Sequence, residues 1–138
     1  MKKIFLMLAM AVVAISCLSS CSKEKYDTFV EWGFAENTNS EINNGYETMI
    51  TSAQVILNAF DHAFYTECSD MEMDHKTIMK LQEGKSAAIK NAKRIADKAH
   101  SMIEEGHVCA LDYIFVVRIK YGTEENYETV WSHDYRTK

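Results

Sequence analysis

Between Cys109 and Tyr121 every second residue is apolar, so that Cys109, Leu111, Tyr113, Phe115, Val117, Ile119 and Tyr121 share one side of an extended chain. The opposite side is apolar over much of its length as well, through Ala110, Ile114 and Val116. A strand of this kind belongs inside a sheet that is covered at least partly on both faces. The rest of the chain must supply its neighbours and its cover.

Two further stretches have the period of strands. Tyr26, Thr28, Val30, Trp32 and Phe34 alternate against Asp27 and Glu31, and Tyr127, Thr129, Trp131, His133 and Tyr135 alternate against Glu128, Val130, Ser132, Asp134 and Arg136. The loop Gly122-Thr123-Glu124-Glu125-Asn126 has hairpin length and joins the last two strands.

Cover comes from two helical stripes. Tyr46, Met49, Ala53, Ile56, Phe60 and Ala63 recur at steps of three and four, predicting a helix from about Glu41 to about Thr66. Thr38 with Glu41, and Asn44 with Glu47, have the spacing of helix-start capping pairs. Ile78, Leu81, Ala88, Ala92, Ile95, Ala99 and Met102 predict a second helix, with Lys76, Lys80, Lys90, Lys93, Arg94 and Lys98 on its outer side. Gly84 interrupts this stripe at a cost of about 1 kcal/mol relative to alanine, and Gly106 ends it. The expected architecture is an α+β two-layer sandwich in the order β-α-α-β-β. A helical hairpin packs on a three-stranded antiparallel sheet of order 1-2-3, with the Cys109–Tyr121 strand in the middle.

Ahead of this domain, Lys2 and Lys3 precede an apolar run from Ile4 to Leu18 that is broken only by Ser16 and Cys17. A charged start and a short apolar middle make a secretory signal, and the run falls short of the roughly 18 residues a spanning helix needs. Leu18-Ser19-Ser20-Cys21 resembles the lipobox of bacterial lipoproteins. The resemblance covers only about the first 25 residues. It implies cleavage before Cys21, a thioether to diacylglycerol on its sulfur, and usually an acyl chain such as palmitate on its amine. Several chains are needed for a lasting hold, since each buried CH₂ contributes about 0.8 kcal/mol and a single chain anchors only marginally. Ser22 after the cysteine, where retained lipoproteins carry Asp, implies the outer membrane rather than the inner. The expected layout is a leader over 1–20, the anchor and a short linker over 21–25, and one domain over 26–138.

The whole chain carries a net charge of −5, and −7 once Lys2 and Lys3 leave with the leader. Such a surface disfavours nucleic acid and a flat approach to anionic lipid. With Cys21 acylated and Cys17 removed, Cys68 and Cys109 remain in an oxidising compartment. They flank a predicted helix of about 30 residues, or about 45 Å, and a disulfide requires Cα atoms within about 7 Å. No bond between them is therefore expected.

Chemistry-bearing clusters are sparse. Met71, Met73 and His75, with Cys68 and Asp70 just before them, offer soft ligands at alternate positions that suit Cu(I); a polar turn with two methionines on the core explains the same residues. His100, Glu104 and His107 share a helix face, where a histidine ordinarily answers the helix dipole. Asp61 and His62 point to different sides of a helix and form no dyad. No nucleophile motif, phosphate loop or zinc pattern is present, and the residues nominate neither a catalytic group nor a cofactor. The expected function is therefore a membrane-tethered, non-catalytic domain that binds a protein partner or serves the envelope structurally. Its docking surface would be the helix-free face around Ala110, Ile114 and Val116. The alternative is a ligand module, taking glycan on the sheet aromatics or copper at Met71, Met73 and His75.

Overall fold

A computed structural model describes residues 24–44, 51–68, 74–103 and 113–136. Its elements are β1 (Lys25–Ala35), α1 (Thr51–Cys68), β2 (Lys76–Glu83), α2 (Lys85–Ser101), β3 (Ile114–Tyr121) and β4 (Glu128–His133). The strands make one antiparallel sheet of order β2-β1-β3-β4. Since β2 and β3 flank β1 and are both antiparallel to it, they run parallel to each other, joined through α2.

Both helices pack on one face. Trp32 and Phe34 of β1 and Phe115, Val117 and Ile119 of β3 meet Ile56, Phe60 and Phe64 of α1, all buried. Ala88, Ala92, Ala96 and Ala99 give α2 a small-residue stripe that lets it settle close to the sheet.

The α+β sandwich agrees with expectation, but the sheet has four strands rather than three. Residues 76–83, read as the start of the second helix, form β2. Thr77 and Met79 point into the core while Lys80 and Leu81 stay exposed, so the spacing of Ile78 and Leu81 is not a helical stripe. Gly84 is the junction between strand and helix, at φ 91, a value that favours glycine. The order of the three expected strands survives as β1-β3-β4, but β2 on the far side makes β1 internal instead of an edge. The helices are consequently not a hairpin.

Four local readings also fail. Residues 41–44 are not helical, because Asn44 is spent on β1: its Oδ1 accepts from the Phe34 amide at 3.0 Å and its Nδ2 donates to the Trp32 carbonyl at 3.3 Å. Thr38 caps no helix either; Asn37–Ser40 is a turn closed by the Asn37 side chain on the Asn39 amide. The last strand does not keep one face. A bulge moves the register between Val117↔Trp131 and Arg118↔Thr129, so Trp131 faces the helices and Thr129 the other side. Finally, α2 has 17 residues, about 25 Å, so the distance argument against a Cys68–Cys109 bond no longer holds. Cys109 lies outside the described residues.

Candidate binding surfaces

Four places gather polar or aromatic side chains. The first is under α1, where Asp61 accepts from the Trp32 indole at 2.8 Å and lies 2.7 Å from His75 Nδ1. The Tyr65 hydroxyl accepts from the His75 amide at 3.1 Å, and the His75 carbonyl accepts from the Trp32 amide at 3.2 Å. Asp61 and His75 are 14 residues apart and meet only because β2 returns beside β1. Their geometry ties the 74–75 turn, left-handed at both residues, to helix and sheet together. Of the copper candidates, His75 thus has Nδ1 committed to a carboxylate, and Met71 and Met73 lie outside the described residues.

The second is an aromatic end of the core. His100 Nδ1 lies 2.5 Å from the Tyr135 hydroxyl, and the His133 ring lies tilted against that of His100 with centroids 4.4 Å apart. Burial pushes the Tyr135 phenol far up from its ordinary value. Glu104 and His107 lie outside the described residues. Among the described residues no group of three or more His, Cys, Asp or Glu side chains is arranged to hold a metal ion.

The third is the helix-free face. The 36–44 segment crosses it: a Cβ at Gly33 would stand 2.5 Å from Ile42 Cγ2, and Arg118 donates to the carbonyls of Thr38 and Ser40 and, through Nε, to Thr129 Oγ1 at 2.9 Å. Val116, beside Gly33 in the sheet, is fully buried. Ile114 is partly buried and Ala110 is outside the described residues, so the expected apolar docking surface is largely occupied by the chain itself. Farther along this face Lys120 lies over the half-buried rings of Phe29 and Tyr127 at 5.4 and 5.0 Å.

Next to these sits Glu31. Burial pushes its carboxyl above the ordinary value, against the pull of Lys76, Arg118 and Lys120. The folded carboxyl holds its proton more tightly than the unfolded one, so its contribution to stability falls as pH rises between the unfolded and folded pKa values. Urea midpoints of the wild type and Glu31→Gln should coincide in mild acid. Toward neutral pH they should separate, with the variant the more stable. A wild type that gains on the variant as pH rises would mean the cations outweigh burial.

The fourth place is the open edge. Among the described residues, β4 has a strand on one side only. A shallow groove of about 570 Å³ follows it, lined by Thr129, Trp131 and Ser132 from β4, by Tyr127 just before it, and by Thr38 and Asn39 from the crossing loop. Trp131 donates its indole N–H to Asp97 of α2 at 3.0 Å, which fixes the ring on the helix side of β4. The sequence held no direct sign of this groove, because its second wall comes from a loop some 90 residues away. Of the strand aromatics, Trp32 and Phe34 are buried in the core.

This fold and these surfaces define a two-layer α+β domain with an open sheet edge. No family model, no curated protein and no solved structure matches the chain. Among the described residues no helix is long and apolar enough to cross a membrane.

Proposed function

We propose that the chain is a small lipoprotein domain, held by acylated Cys21 at the bacterial envelope and at the outer membrane in particular. It is non-catalytic and binds a protein partner as an extended segment along β4. The observation that carries the second half is the outer edge of β4, which has no second strand neighbour among the described residues and has a groove beside it. An added strand gains backbone hydrogen bonds from such an edge, and side-chain pockets give selectivity. The other edge is less suited. Lys76 and Lys80 stud β2, and Leu81 breaks its extended run with a φ of 47.

The test places a photocrosslinking residue at Ser132, in the groove, or at Asn58, exposed on α1, in the full chain within its native envelope. A discrete protein adduct from Ser132 alone is expected, together with palmitate labelling that Cys21→Ser abolishes. Adducts of equal yield from both positions, or from neither, would remove the groove. Trp131 fluorescence that responds to soluble saccharides without any adduct would favour the glycan module instead.

A further inference from the structure

Lys25, the first residue of β1, is only four positions beyond Cys21, and four residues span at most about 14 Å when fully extended. Resting on the lipid-anchor reading above, this means that whatever path the linker takes, the Lys25 end of the sheet stands at the membrane surface. That end carries Tyr26, 41% exposed, and Leu81, 63% exposed. The two are adjacent across the β1–β2 ladder, where Tyr26 pairs with Gln82. The remaining large exposed apolar side chain among the described residues, Met102, follows the far end of α2, about 25 Å along its axis from Gly84.

Leu81 is unusual in two respects that point the same way. A leucine in the left-handed region is strained, and its φ of 47 is held in place by the Asp27 carboxylate accepting from its amide at 3.0 Å. The strain presents the side chain to the outside instead of to the core. Tyr26 is stiffened from beneath by an edge-on contact with Tyr121 at 5.6 Å. The Tyr121 hydroxyl donates to the Gln82 carbonyl and accepts from the Gly84 amide, both at 2.9 Å. We infer that Tyr26 and Leu81 are inserted into the bilayer interface beside the acyl chains of Cys21, so that the domain is seated on the lipid in one orientation rather than swinging from a tether.

The occupant is the lipid interface rather than anionic headgroups specifically. Cations at this end are matched by acids, with Lys25 3.7 Å from Glu83, Lys80 3.7 Å from Asp27, and Lys85 2.6 Å from Glu124. A tyrosine beside an aliphatic side chain suits the boundary between headgroups and acyl chains.

The test uses the full, processed chain in vesicles of neutral phosphatidylcholine, with p-benzoylphenylalanine introduced at Leu81, at Tyr26 or at Met102. After irradiation, intact mass reports both the acyl groups on Cys21 and any added lipid. Lipid adducts at positions 81 and 26 should exceed those at 102 by about tenfold, as interfacial contact of one end requires. Equal adducts at all three positions, or none at 81 and 26 on a chain whose mass shows its acyl groups, would overturn the seating and leave the anchor intact. A chain without acyl groups would remove the anchor reading and this inference with it.

Discussion

Trp32→Ala should lower the stability of the domain by about 4–5 kcal/mol, the upper part of the range for truncating a buried aromatic side chain. Trp32 sits fully buried on β1, between the two strands that flank it. It stacks on Phe64 at 4.6 Å and tilts against Tyr65 at 5.6 Å, so its loss opens a cavity between the sheet and α1. It also removes one of the donors on Asp61. Small domains have only about 5–15 kcal/mol in total, so the variant should unfold partly in mild denaturant, with a midpoint roughly 20 °C lower. Trp131, the other tryptophan of the chain, reports the unfolding by fluorescence. Trp32→Phe separates packing from hydrogen bonding: it keeps most of the ring and should cost about 1–2 kcal/mol. Combined with Asp61→Ala, which leaves no side-chain acceptor, its effect should fall short of the sum by at least about 0.5 kcal/mol, because both substitutions remove the same hydrogen bond. Strict additivity would show that the bond contributes nothing.

The neighbourhood of Trp32 also shows what the sequence made legible. Its alternation with Val30 and Phe34 identified β1, and the stripe Ala53, Ile56, Phe60, Ala63 identified the buried face of α1, all of them inaccessible to solvent. Period alone could do this because those residues answer to a single partner layer. β2 was hidden because Ile78 and Leu81 lie three apart and continue backward a stripe that is real from Ala88 onward. The contrary signs were Thr77 and Met79 alternating and a glycine at 84, where a helix of 17 residues starts. Without β2, nothing in the sequence brings Asp61 to His75, β1 reads as an edge, and the helix between Cys68 and Cys109 reads longer than its 17 residues. The groove at β4 was beyond reach for a different reason, since no local pattern says that the 36–44 segment crosses the sheet.

That crossing depends on one glycine. Gly33 lies inside β1, where a glycine ordinarily weakens a strand, and its place is explained by the close approach of another stretch of chain. A Cβ there would stand 2.3 Å from Asn44 Oδ1, 2.6 Å from Asn44 Nδ2 and 2.5 Å from Ile42 Cγ2. Asn44 cannot swing away freely, because its amide takes the place of a strand neighbour beyond the end of β2, bonding the Phe34 amide and the Trp32 carbonyl, while the Asn43 amide donates to the Phe34 carbonyl at 2.7 Å. Gly33→Ala should therefore cost about 2–3 kcal/mol. Overpacking contributes about 1–3 kcal/mol and the loosened hydrogen bonds about 1 kcal/mol each, against a gain of about 0.5–1 kcal/mol from replacing glycine within a strand. The amides of Phe34 and Asn43 should lose protection from hydrogen exchange before those of β3 do, because the first thing to yield is the crossing segment. In a background of Asn44→Ala and Ile42→Ala, where the obstructing atoms are gone, Gly33→Ala should cost less than about 1 kcal/mol. If it costs as much there as in the wild type, the tight approach at Gly33 is not what holds the segment to the sheet.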